Sequence, residues 1–184
     1  MNASIRVHSL PEINSAVSAH LLDGAIYPLL QELPAEKPTV SFHSVTPYKE
    51  QIIENYRVLA VPVNHTSAIG YQIRDDAGKA LFYTGDTGPG LSKLWKHLSF
   101  QLLIIDTTFP NDYGGYARDT GHLTPNLLLD ECIELRKIKK SLPRIICVHR
   151  DPLLGNKVEK EIAEVAAALD SPITVARENM EIVL

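Results

Sequence analysis

An α/β fold built on a mixed sheet with flanking helices is predicted for this 184-residue chain by three features. Two apolar strands flank Asp75-Asp76-Ala77-Gly78 as a β-hairpin. Two continuous apolar runs, FQLLIIDTTF (100–109) and RIICVH (144–149), suit strands covered on both faces. Between and after those runs lie segments with apolar residues at helical spacing. Hairpins first and strand–helix–strand order later put antiparallel and parallel pairings into one sheet.

Taken in order, SIRVH (4–8) reads as a short strand. PEINSAVSAHLLDGAIY (11–27) has the apolar spacing of a helix, through Ile13, Val17 and His20/Leu21. LPAEKP (33–38) is a turn-rich connector, and the alternation in TVSFHSV (39–45) predicts an edge or half-buried strand. YRVLAVPVNH (56–65) is a strand ending in His65, and IGYQIRDDAGKALFYTGD (69–86) is the hairpin, with Gly78 able to take the positive φ of its turn. A helix start is well marked at Thr124 as N-cap and Pro125 at N1, with Leu128, Cys132 and Leu135 along one face. NKVEKEIAEVAAALD (156–170) places Val158, Ile162, Val165 and Leu169 on one helical stripe. PITVARENMEIVL (172–184) predicts a final strand pair turning at Glu178-Asn179.

Composition bounds the function. The chain is 45% hydrophobic and 22% charged, ordinary for a single globular domain over residues 1–184. A net charge of −4 gives no basic footprint, so nucleic acid is not an expected partner. Cys132 and Cys147 have no second cysteine or histidine at metal-ligand spacing and read as reduced core thiols, which suggests a reducing compartment. No N-terminal basic run leads into an apolar core and no 18 consecutive residues are apolar, so a membrane-free, cytoplasmic protein is expected.

Seven histidines divide into two kinds. His8, His20, His43 and His97 fall where surface or satisfied core histidines occur. His65, His122 and His149 lie at or just beyond strand ends or immediately before a helix, and Asp86 does the same in LFYTGDTGPG. Ligands gather at strand ends on one edge of an α/β sheet, so these side chains can converge. Imidazole nitrogens and a carboxylate at one point suit a divalent transition metal, and a carboxylate can bridge two. Glycines beside Asp86 would let backbone approach closely. GDTGPG also reads as a tight turn in which Asp86 accepts from backbone N–H groups, and spacing leaves both readings open. His122, two residues before Thr124, can donate to a phosphate oxygen, protonate a leaving alkoxide, or simply cap the loop.

VNHTSAIGYQI, LFYTGDTGPG, LLIIDTTFPN, GHLTP and VHRDP, in this order and spacing, resemble the metallo-β-lactamase superfamily, within it the class II cyclic-nucleotide phosphodiesterase and tRNase Z-like branch. Upstream, SIRVHSLPEINSAVSAHLLDGAIYP is similar to the family's strand and helix after its first metal motif. The resemblance implies an αββα sandwich of which this chain is the C-terminal portion, with the first sheet largely missing. It implies His65, Asp86 and His149 as metal ligands, with Asp86 between two ions; His122 as the catalytic residue meeting substrate phosphate or leaving group; and Asp106 as a support behind the ligands. Two divalent ions are implied, zinc most commonly, with manganese or iron compatible.

The family's leading H-x-H-x-D-H motif does not occur in the sequence, and His20 in AHLLD is not placed for it. The resemblance therefore implies an apolar sheet face left uncovered and ligands missing, to be supplied by a longer chain, a separate N-terminal chain or a second copy, and metal absent from the chain alone is compatible with it. The expected function is hydrolysis of cyclic nucleotides or small phosphodiesters. The alternatives are a non-catalytic binding or assembly module, favoured by the absent motif, and a thioester or lactone hydrolase.

Overall fold

In the computed structural model, which describes residues 4–184, two compact units are distinguished, Met1–Lys49 and Glu50–Leu184. In the first, β1 (Ile5–Ser9) pairs in parallel with β2 (Val40–Ser44), and α1 (Pro11–His20) starts with proline at its first turn. Asn14, buried, joins the elements by donating to the Ser9 and His43 carbonyls at 3.4 and 3.2 Å. The helix stops at His20 rather than running on to Tyr27. Beyond it, Asp23 accepts from the N–H groups of Ala25 and Ile26 at 2.8 and 2.9 Å, and Gly24 takes φ +82°. An aspartate that bonds its own following backbone competes with the helical ladder and wins here.

Seven strands of the larger unit form one mixed sheet in sequential order. These are β3 (Glu50–Ile53), β4 (Tyr56–Pro62), β5 (Ile69–Arg74), β6 (Ala80–Tyr83), β7 (Leu102–Asp106), β8 (Arg144–Val148) and β9 (Ile173–Val175). From β3 to β6 the pairings are antiparallel, and from β6 to β9 they are parallel. At the predicted hairpin, the Asp75 side chain accepts from Lys79 N at 2.8 Å and Gly78 adopts φ +84°. β3 gave no sequence signal: EQII is four residues long, too short for alternation to show against a turn-rich flank.

Helices cover one face of this sheet. They are a single turn, α2 (Ser92–Trp95), then α3 (Gly114–Thr120), α4 (Pro125–Lys139) and α5 (Gly155–Leu169). Thr124 caps α4 as expected, accepting from Leu127 N at 3.4 Å, and Arg136, Lys137 and Lys139 sit in its last turn, where cations complement the helix dipole. Phe82, Leu103 and Ile145 form a cross-strand row buried beneath these helices, together with Leu128, Leu135, Val158 and Ile162. On the opposite face of the same strands the row Tyr71–Tyr83–Ile104 is more open, with Tyr83 exposed and the other two half-buried.

The expected closing strand pair does not form. Only Ile173–Val175 joins the sheet. A turn at Arg177–Met180, with Asn179 at φ +59°, redirects the chain, and the Leu184 carbonyl accepts from Lys79 Nζ instead of entering a ladder.

No helix among the described residues is long and apolar enough to cross a membrane. Cys132 and Cys147 are free and buried, and burial pushes both thiols up to about 12. A neutral, enclosed thiol is a poor nucleophile. The folded chain should therefore leave both unmodified by an aromatic disulfide reagent at mildly alkaline pH, while the guanidinium-unfolded chain releases chromophore from both; rapid labelling of the native protein would contradict this burial.

Candidate metal centre

Strand direction assembles the site. β4 and β6 are each antiparallel to β5, so they point the same way, and β7 and β8 run parallel to β6. The C-terminal ends of these four strands thus share one edge. His65 lies three residues beyond β4, Asp86 three beyond β6, Asp106 ends β7 and His149 follows β8 directly. His122 arrives from the other side, in the short connection between α3 and α4, where Gly121 in the left-handed region (φ +75°) ends α3.

All five side chains meet there. Donor atoms of His65, Asp86 and His122 lie within 4.8 Å of one another, as do those of Asp106, His122 and His149. His149 Nδ1 is 3.6 Å from Asp86 Oδ1. Imidazole centroids of His65 and His122 are 5.2 Å apart, and those of His122 and His149 are also 5.2 Å apart and nearly parallel. The positions expected to hold metal are therefore neighbours, and His122 stands between them. His8 and His43 form a separate stacked pair across β1 and β2, 4.9 Å between centroids.

Asp106 is the centre of the polar network. Its side chain is 0% exposed, yet both oxygens are used: Oδ2 accepts from His122 Nδ1 at 2.7 Å, and Oδ1 accepts from the Thr108 hydroxyl at 2.9 Å and from Leu123 N at 3.3 Å. Thr87 N adds a longer contact to Oδ2 at 3.4 Å. Burial pushes the Asp106 carboxyl above its ordinary range, opposed by the hydrogen bond and charge of His122 and then by Thr108 and Leu123. A carboxylate accepts only, so His122 Nδ1 carries the proton and leaves Nε2 for another partner. Thr108 makes the same assignment for His149: having donated to Asp106, its oxygen accepts from His149 Nδ1 at 2.9 Å. Metal-binding histidines are commonly oriented in this way, with the second ring nitrogen donating to a fixed oxygen.

Three hydrogen bonds of Asn64 hold the loop that follows Asp86. Asn64, beside His65, donates from its backbone to Thr87 Oγ1 at 3.2 Å and from its side chain to Pro89 O at 2.5 Å, while its own carbonyl accepts from Gly88 N at 2.8 Å. Glycine is needed where these loops touch: a Cβ on Gly88 would sit 3.2 Å from Asn64 O and from the backbone of Gly121, and one on Gly121 would sit 3.0 Å from the His65 ring. Below them, the buried Glu131 of α4 accepts from Gly90 N at 2.6 Å, Leu91 N at 3.2 Å and Trp95 Nε1 at 3.2 Å.

His149 has φ +63°, a left-handed conformation uncommon for a residue with a side chain. Such strain persists where surroundings over-determine it, and functional sites are where it gathers. Thr108 and Glu131 were not legible as site residues. A hydroxyl just past a strand end and a carboxylate on the apolar stripe of α4, three residues after Leu128, were the available signals.

Replacing Glu131 by alanine would strand two backbone N–H groups and the Trp95 indole in the interior. The expected loss is about 1–3 kcal/mol in urea unfolding, with Glu131→Gln retaining part of it; an unchanged midpoint in the alanine variant would mean that Glu131 does not anchor the loop.

The model of the beta-lactamase superfamily domain matches residues 7–149. Among curated proteins no sequence matches significantly. Solved structures share the fold: unliganded yeast PDE1 superposes with a TM-score of 0.81 at 16% identity over 95% of this chain and 58% of its own. A diphosphatase of the PhnP family gives 0.63 at 16% over 98% and 60%, and the short form of human tRNase Z gives 0.59 at 16% over 96% and 66%. The chain thus spans 58–66% of the length of these three structures. A family match over most of its length, on a fold whose strand ends bring three histidines and two aspartates together, makes this chain a member of the beta-lactamase superfamily.

Proposed function

We propose that the larger unit carries part of the centre of a metal-dependent hydrolase acting on phosphodiester bonds, of cyclic-nucleotide or small phosphodiester type. The observation that carries this reading is the convergence of His65, Asp86, Asp106, His122 and His149 on one sheet edge. Neutral imidazole nitrogens with carboxylate oxygens are the donor set for zinc, manganese or iron. That a diphosphatase and a tRNase Z share the fold supports a phosphoryl centre as the point of attack.

His65, Asp86 and His149 would hold the metal ions. When bound, such ions polarise phosphoryl oxygens and lower the pKa of water. The chain's own contribution is orientation and proton handling. Asp106 fixes the His122 ring through Nδ1, so Nε2 is presented to the substrate, where it hydrogen-bonds a phosphate oxygen or delivers a proton to the departing oxygen. Thr108 couples the rings of His122 and His149 through one hydroxyl, 3.3 and 2.9 Å from their Nδ1 atoms. Further ligands would come from a longer chain, a separate N-terminal chain or a second copy. The two enclosed thiols fit a reducing compartment such as the cytoplasm.

Metal analysis of the protein at neutral pH, in the assembly that completes the site, should find about two transition-metal ions per functional unit, and chelation should abolish hydrolysis of bis(p-nitrophenyl) phosphate. Asp86→Ala should lose bound metal. His122→Ala should keep its metal and lose turnover by about 10²-fold or more. Metal at background in the complete assembly would remove the hydrolase reading, and a metal-loaded protein without turnover would leave a binding module.

A further inference from the structure

A ledge of aromatic rings adjoins His122, and the reading above does not use it. Phe109, just after β7, meets the His122 ring edge-on, 5.7 Å between centroids and 82° between planes. Tyr116 of α3 meets Phe109 at 5.2 Å and 71°, and Tyr113 lies nearly parallel to Phe109 at 6.2 Å and 20°. Phe109 is anchored against the core, whereas Tyr113 and Tyr116 are 41% and 56% exposed. Two exposed tyrosines thus lie one ring beyond the histidine that the phosphodiester reading turns toward phosphate.

The ledge is also held in place. Asn111 N donates to Glu161 of α5 at 2.8 Å, the Asn111 side chain accepts from Asn126 N of α4 at 2.7 Å, and Asp112 pairs with Lys157 of α5 at 2.9 Å. Three polar ties to two helices fix the segment that presents the rings. Ordered aromatic faces favour planar ligands because little side-chain freedom is lost on stacking, and every nucleobase offers a π-face.

We propose that Tyr116, with Tyr113 and Phe109, forms the subsite for the nucleobase of a nucleotide substrate whose phosphate lies at His122. Phe109 touches both the Tyr116 and the His122 rings, so one aromatic side chain joins the exposed tyrosine to the histidine. The proposal takes the position of the phosphate from the phosphodiester reading. It adds the group recognised beside it and assigns the recognition to stacking, which tolerates either purine or pyrimidine.

The test uses the full chain in its metal-loaded assembly and two probes: the 3′,5′-cyclic monophosphate of 2-aminopurine riboside, whose fluorescence falls on stacking, and the base-free methyl riboside 3′,5′-cyclic phosphate. Wild type should quench the first, and Tyr116→Ala should lower the preference for the base-bearing over the base-free probe about 10-fold, with Tyr116→Phe restoring it. Absent quenching in wild type, or an equal loss for both probes in Tyr116→Ala, would overturn the subsite. Quenching that depends on Tyr116 in a protein without turnover would uphold the subsite while removing the hydrolase reading.

Discussion

A fully buried carboxylate must either be satisfied on every side or give up its charge, and Asp106 is the point at which this chain meets that demand. Its four partners come from three places: the loop after β6 through Thr87, the residue two positions on through Thr108, and the entry to α4 through His122 and Leu123. Three of them also adjoin a candidate metal ligand: Thr87 follows Asp86, Thr108 bonds His149, and His122 packs against His65 and His149. The energetic need of one hidden charge therefore draws together the segments that carry the chemistry.

Around that centre the fold supplies direction and the loops supply tolerance. Codirectional strands deliver His65, Asp86 and His149 to one edge, with no requirement that they be close in sequence. Final placement depends on backbone contacts that a side chain would spoil, such as Gly88 and Gly121 against Asn64 and His65. Glu131 works from below, where one carboxylate replaces water for the donors of a turn that has left regular structure. The site thus rests on the helix layer as much as on the sheet.

Much of this was written in local pattern. The Thr124-Pro125 start of α4, the turn at Asp75–Gly78 and the histidines and aspartate at strand ends follow from capping, φ preference and element boundaries, all short-range properties. What escaped is long-range or too brief. β3 has only four residues, and α3 opens on two glycines, poor helix formers that hide it from propensity. The end of α1 was misjudged because Asp23 and Gly24 look tolerable within an apolar periodicity until the side chain is seen bonding its own backbone. Thr108 gives no pattern at all: its importance lies in the two imidazoles beside its hydroxyl, one of them 41 positions away.

The backbone at His149 has a broader implication. Its left-handed φ would suit glycine or asparagine better, so the fold tolerates an imidazole there against local preference. Glycine would relieve that tension but would also remove the ring's contacts with Thr108 and His122, leaving the Thr108 hydroxyl without that partner. The imidazole's contacts with Thr108 and His122 hold it in that conformation, so the surroundings rather than local preference set the backbone here.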